Sequence, residues 1–245
     1  MANVDRSLLD DPKRKTVYRI VSFERLVQML ATKKLALLSP LKWEDPFESY
    51  WMRALYPEEA RRLNAIARIF GLCWTFEAWS DAMWRIYSTA QMGVRIRTTV
   101  DELQRQLGRA PELNNGKVFL GAVDYLQDRD LVHAAERIGR NIDEGRSPPD
   151  WAVAKSWLRK RRAFRHEAEM RVLFVGKKPL KKSEVLSVSI DPLNLIQTIN
   201  LDPRAPESVA EALKQYLVDR YGFATTAVNQ SRLYKLPKAL QKMVR

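Results

Sequence analysis

The sequence predicts an α+β fold, with a mixed or largely antiparallel central sheet flanked by helices. Three observations carry that reading. Short β-branched and aromatic runs alternate irregularly with amphipathic helical stretches, without a long series of similar βαβ units. Side chains suited to helix N-caps stand between them. Neither Gly-x-Gly-x-x-Gly nor a Walker loop is present. At 245 residues and 46% hydrophobic content the chain is long enough to bury a full core.

The elements follow in order. Residues 1–15 are polar and read as a loose N-terminal arm, ahead of one α+β domain over 16–245. Thr16 to Phe23 is a strand, and Ser22 caps a helix over Phe23 to Thr32. Lys34 to Pro40 is a second strand, followed by a loop around Asp45-Pro46. A helix over Pro57 to Ile69 precedes the apolar strand Gly71 to Phe76. Ser80-Asp81 caps a helix carrying Met83, Trp84, Ile86 and Tyr87. Gly93 to Arg97 is a strand, and Thr99-x-x-Glu102 is a capping box. Lys117 to Leu126 reads as a strand, Asp130 to Asp143 as a helix, Gly145 to Pro149 as a loop and Asp150 to Arg162 as a helix. Strands at Glu169 to Val175, Val185 to Ile190 and Leu195 to Leu201, a helix over Ser208 to Arg220 and a last strand within Ala224 to Leu236 complete the chain.

Composition narrows the chemistry. One cysteine, Cys73, excludes an intrachain disulfide framework and a Cys-rich zinc site, and two histidines argue against a His-rich one, so no metal is expected. No apolar run reaches the ~20 residues of a membrane span, and the N-terminus lacks an apolar signal core. The expectation is a cytoplasmic protein without a membrane partner. The formal net charge of +13 points to an anionic partner without saying which.

Three polar positions interrupt apolar strands. Arg19 stands between Val17 and Val21 on one strand face. It is either an anion-binding arginine in a cleft or an edge-strand arginine reaching water. Thr75 shares a face with Cys73, where its hydroxyl would meet a ligand, brace a neighbour or simply favour the strand. Cys73 reads as a small buried hydrophobe. If residues 165–171 are extended, Glu167 and Glu169 lie on one face with Arg165 and Arg171. Such a carboxylate pair either divides catalytic labour or forms a solvated, arginine-paired face.

Charge is also unevenly spread. Residues 155–182 hold eleven Lys and Arg against two acids, a net +9, with Trp157 and Phe164 interleaved and Trp151 just ahead. Read as a basic helix, Lys155, Arg159, Lys160, Arg161 and Arg162 would contact phosphates of a nucleic-acid or ribonucleoprotein target. A solvated helix with core tryptophans has the same pattern.

Several phrases together resemble an uncharacterised bacterial family, numbered 2971 among the domains of unknown function. They are Tyr18-Arg19-Ile20, Leu35 to Pro40, Trp43-x-Asp45-Pro46-Phe47-Glu48, Cys73-Trp74-Thr75, Ser80-x-x-Met83-Trp84-x-x-Tyr87 with Gly93-Val94, then Trp157 and Glu167-x-Glu169-x-Arg171. The family pattern usually has an aromatic and Ser after the Cys; Trp74 and Thr75 stand there.

The order of Arg on the first strand, Ser or Thr on a middle strand and Glu-x-Glu on a late strand is more distantly similar to ADP-ribosyltransferases. That resemblance implies their split sheet and NAD as the substrate. It makes Arg19 the dinucleotide holder and Thr75 the buttress of the nicotinamide pocket. Glu169 becomes the group stabilising an oxocarbenium-like transition state, and Glu167 the one positioning the acceptor. Tyr18, Tyr87 and Trp84 are candidates to stack on nicotinamide or adenine, with core the reading for Trp84. Asp45 and Glu48 either border the cleft or make a simple turn. A toxin or defence effector is the role such chemistry suggests. The competing readings are a basic nucleic-acid-binding protein or RNA-cleaving toxin without NAD chemistry, and a partner-binding protein with a merely solvated charged face. Convergence of Arg19 with Glu169 separates the first from the last.

Overall fold

The computed structural model describes residues 1–11, 15–43, 45, 48, 58, 64–143, 149–180 and 184–236, with backbone alone for 135 and 137–143. The fold is α+β, with a largely antiparallel central sheet flanked by helices. Its strands are β1 (Asn3–Leu8), β2 (Thr16–Ser22), β3 (Lys34–Leu38), β4 (Ile69–Thr75), β5 (Gly93–Thr99) and β6 (Gly116–Ala122). The short β7 (Asp124–Leu126) and β8 (Arg159–Arg161) form a separate parallel pair. They are followed by β9 (Glu169–Gly176), β10 (Val185–Ser189), β11 (Thr198–Leu201) and β12 (Val228–Gln230). The helices among the described residues are α1 (Phe23–Thr32), α2 (Asp81–Tyr87), α3 (Val100–Arg109), α4 (Asp128–Asp143), α5 (Asp150–Ser156), α6 (Pro192–Leu195) and α7 (Glu207–Tyr221).

The main sheet runs β1-β6-β9-β4-β2-β5-β11-β12, with β3 joining β4 and β10 pairing β3. Only the terminal pairs β1–β6 and β11–β12 are parallel within it. β9 lies at the centre and is buried along its whole length. Its Met170, Val172 and Phe174 pack with Leu72, Trp74, α1 and α3 in the larger core. Leu173 and Val175 face the other way, onto Ile69, Phe119, Trp157 and Leu158. Each such large apolar side chain contributes about 1.5–3 kcal/mol by leaving water. Arg171 and Glu169 occupy that second face where the apolar row stops.

The expected caps form. Ser22, Ser80 and Thr99 accept from the backbone N–H three residues on, at 3.4, 3.2 and 3.1 Å. Other expectations need correction. The N-terminal residues are not a loose arm: β1 pairs with β6, Val4 packs against the core, and Arg6 binds Asp101 on α3 at 2.6 Å. Residues 117–126 do not form one strand, because the Asp124 N–H turns to the Leu158 carbonyl and 124–126 pair with β8 instead of β9. The helix expected to reach Arg162 ends at Ser156, so the basic block passes through α5, β8 and a 3-10 turn over Arg162–Glu167. Residues 165–171 are therefore not one extended run. Ala168, at φ 40°, bends the chain between Glu167 and Glu169. Of the helix expected over 57–69, residues 64–66 are helical and Ile69 already belongs to β4, whereas 57 and 59–63, with 145–148 of the expected loop, lie outside the described residues.

Candidate functional site

β4 is zipped to β9 along its full length, but on its other edge it meets β2 only at Tyr18–Thr75 and β3 only at Gly71–Leu38. Leu72, Cys73 and Trp74 have no ladder partner on that side. The sheet splits there, and a cavity of about 180 Å³ opens in the gap. Tyr18, Arg19, Thr75, Tyr87, Glu167 and Glu169 all line it, so the expected cleft residues converge from distant parts of the chain. The volume is below the ~300–1,000 Å³ of pockets that enclose a whole drug-sized ligand. It suits the head of a ligand whose remainder lies outside.

The far wall is a buried charge cluster. Arg171, 1% exposed, clasps Glu169 with Nε to Oε1 at 3.0 Å and Nη2 to Oε2 at 2.8 Å. The same Nη2 donates to Glu48 Oε1 at 2.5 Å, and Nη1 to the Trp157 carbonyl at 2.6 Å. Trp43 lies over the guanidinium, 4.4 Å from ring centroid to Cζ, and packs edge-on against Trp157. Gly71 makes room for that indole: a Cβ there would stand 2.5 Å from Trp43 Cζ2. Lys160 Nζ sits among three carboxylates, 2.6 Å from Glu167 and 3.6 Å from both Glu48 and Glu169. Tyr87 donates to Glu167 Oε1 at 3.1 Å.

Thr75 acts on the backbone. Its hydroxyl donates to the Glu167 carbonyl at 2.5 Å and accepts from the Glu77 N–H at 2.9 Å. It pins the end of the 3-10 turn while Ala168, in a left-handed conformation costly for a residue with a Cβ, swings the chain into β9. The result sets both carboxylates toward one cluster, although they do not share a strand.

Electrostatics follow from packing. Burial pushes the Glu169 carboxyl up, but Arg171 and Lys160 outweigh it and hold Glu169 below the usual carboxylate range. For Glu48 burial wins over the same two cations, and its carboxyl is raised. Burial, reinforced by Glu169, pushes the Cys73 thiol well up, so Cys73 is no thiolate nucleophile. Burial and Glu167 keep the Tyr87 phenol protonated.

Arg19 differs from the other cations. It is half-buried, and no described residue accepts a hydrogen bond or forms an ion pair with its guanidinium. Burial lowers its pKa. Strand alternation puts it with Val17 and Val21, on the opposite sheet face from Tyr18 and Thr75. It reaches the cavity because the sheet is split there.

The basic block is corrected in part. Lys160, expected to touch nucleic acid, is only 10% exposed and bound inside the carboxylate cluster. Arg161 is half-buried and pairs with Asp45 at 3.1 Å. Arg159 is also half-buried, whereas Lys155 and Arg162 are exposed. Sequence reasoning raised Arg171 only as a partner on a solvated face, placed Lys160 on nucleic acid instead of in the carboxylate cluster, and left Glu48 undecided. The available signal was that Glu48 and Arg171 stand beside the Trp43 and Glu-x-Glu phrases. Among the described residues no cluster of three or more His, Cys, Asp or Glu is arranged to hold a metal ion, and these three carboxylates meet cations of the chain itself. No described helix is long and apolar enough to cross a membrane.

No family model matches the chain, and no curated protein matches it. Among solved structures, it is similar to DarT from Thermus sp. 2.9 in complex with NAD+, at 13% identity and a TM-score of 0.40, covering 91% of this chain and 97% of that one. The same protein in complex with ADP-ribosylated ssDNA gives 13% identity and a TM-score of 0.40, covering 95% and 98%. A likeness this distant leaves the chemistry to be read from the site's own geometry.

Proposed function

We propose that the chain is an NAD-dependent ADP-ribosyltransferase, breaking the nicotinamide–ribose bond in the split of the sheet and passing ADP-ribose to a nucleic-acid or protein acceptor. The observation that supports this is the meeting of Arg19, whose guanidinium has no hydrogen-bond acceptor or ion-pair partner among the described residues, with the clasped carboxylates Glu167 and Glu169 in one head-group-sized cavity. An anionic dinucleotide fits that arrangement. Arg19 receives its phosphate or ribose, and the aromatic side chains Tyr18 and Tyr87 flank the head.

Breaking an N-glycosidic bond places positive charge on the ribose. Glu169 is ionised, and Arg171 holds both its oxygens in place. A carboxylate has about four lone-pair sites; Arg171 takes two and the Cys73 thiol a third, so one remains for a ribose hydroxyl. Such a preorganised charge in a water-poor cleft stabilises the transition state as it develops. Glu167, oriented by Lys160 and Tyr87, takes up the acceptor's proton. Thr75 sets the Glu167 backbone and so acts as a positioning residue. Modification of this kind suits a toxin or defence effector.

The test is nicotinamide release from NAD with nucleic-acid and protein acceptor pools. Glu169→Gln should lower it by about 100-fold or more while leaving the fold intact. Absence of both NAD binding and nicotinamide release by the wild-type protein would sink the proposal.

A second reading, nucleic-acid binding without NAD chemistry, draws on the exposed cations Lys155, Arg162, Arg165, Lys177 and Lys178. It predicts salt-dependent binding and no turnover of NAD.

A further inference from the structure

The half-sheet β2–β5–β11–β12 has one apolar face and one more polar, more open face, where among the described residues Tyr18, Ile20, Arg97, Thr198 and Asn200 are half-buried and Asn229 is exposed. On the open face, register places Tyr18 beside Arg97 and Ile20 beside Arg95. Thr198 and Asn200 follow beside the same two arginines, and Asn229 lies beyond Asn200. None of these row residues is acidic.

The two arginines are poorly served by the protein. Arg95 is 6% exposed, and its Nη2 donates to Asn200 Oδ1 at 2.9 Å. The buried Nε atoms of Arg95 and Arg97 have no acceptor among the described residues. No described residue accepts from the rest of the Arg97 guanidinium, and neither arginine forms a salt bridge with a described residue. Burial lowers the Arg95 pKa and Arg97 lowers it further, against the influence of Tyr18 and Glu77. Glu77 already accepts the Trp79 N–H at Oε1, 2.7 Å away. Two like charges two residues apart on one strand face, without a carboxylate between them, are costly to hold together.

Aromatic rings complete the patch. The Arg95 guanidinium lies 5.0 Å from the Tyr18 ring centroid and 5.5 Å from that of Trp79. Trp79 is 60% exposed, leaving its indole open to solvent. Cations beside an exposed indole on an open sheet face form the kind of platform on which unpaired bases stack and phosphates are neutralised. Tyr18 belongs both to this row and to the cleft wall.

We infer that this open face docks a single-stranded nucleic acid: phosphodiesters meet Arg97 with Arg95 behind it, a base stacks on Trp79, and the strand passes Tyr18 into the cleft. A duplex keeps its bases stacked on one another and has none to offer Trp79. The strand's role as acceptor rests on the ADP-ribosyltransferase reading; its binding does not.

The experiment is fluorescence anisotropy of a labelled, unstructured oligonucleotide of about twelve nucleotides, with the full chain, without NAD, at several salt concentrations. Trp79→Ala should weaken binding roughly ten-fold and Trp79→Phe should restore most of it. Arg97→Ala should reduce the salt slope by about one, and Arg97→Glu should weaken binding further. Replacing Arg162 and Arg165 together by Ala should leave affinity unchanged. Melting curves of each variant verify folding. The inference is overturned if no single strand binds, if duplex binds equally well, or if the Arg162/Arg165 variant loses binding while the Trp79 and Arg97 variants keep it. Loss of nicotinamide release alone, with these binding results intact, would instead overturn the reading of the cleft.

Discussion

The two sides of the split sheet treat their cations differently. Along β9 and β8, Arg171 and Lys160 are each bound to carboxylates, and little of either reaches water. Along β2 and β5, Arg19, Arg95 and Arg97 have no described carboxylate partner. Paired charges at the first place hold a wall in shape. At the second, no described carboxylate offsets the charge. Removing a cation should therefore cost stability on one side and binding on the other.

Replacing Arg171 by Met should have the largest effect on stability. It leaves Glu169 and Glu48 buried with only Lys160, 3.6 Å from each, to offset them and should cost about 3–5 kcal/mol in denaturant unfolding. Adding Glu169→Gln should recover part of that loss; no recovery would break the pairing argument. Lys160→Met should follow at about 1.5–3 kcal/mol. Thr75→Val, which removes the clamp on the Glu167 carbonyl, should cost about 1–2 kcal/mol and lower turnover through misplacement of Glu167.

Acid titration sharpens the same contrast. Glu169 is held below its unfolded pKa of about 4.3. Its contribution is present above that value and is lost as pH falls through the folded one. Glu48 is raised, so its contribution is full below about 4.3 and is lost as pH rises through its folded value. Relative to the wild type, Glu48→Gln should gain stability as pH rises across that range, as read by urea midpoints. The smallest stability effect should come from Arg19→Met, within about 0.5 kcal/mol, yet that variant should lose NAD binding in calorimetry. A large destabilisation there would remove the distinction between the two sides.

Much of this was legible where local chemistry decides. The caps at Ser22, Ser80 and Thr99 follow from side chains that reach their own helix. The strands expected at 71–76 and 169–175 follow from short apolar runs of the kind that strands buried on both faces carry, and β4 starts two residues earlier than expected. Arg19, Thr75 and Glu169 stood out as polar breaks in such strands. Lys160 did not, because three basic neighbours and Trp157 look like an amphipathic helix until the chain turns at Ser156. Arg171 meets Glu48 across 123 residues, a contact no local pattern reports. β1 was obscure for another reason: as an edge strand held partly by Arg6 and Asp101, it needs few apolar residues.

The split has a consequence for solubility and quality control. An unpaired strand edge normally invites another chain to add itself, the first step of strand-to-strand aggregation. Here the open stretch, Leu72 to Trp74, is recessed between β2 and β3, each attached at one register pair. A foreign backbone cannot lie along three residues at the bottom of a gap, but a small molecule can. The fold thus keeps sticky peptide groups within reach of a ligand and out of reach of its neighbours.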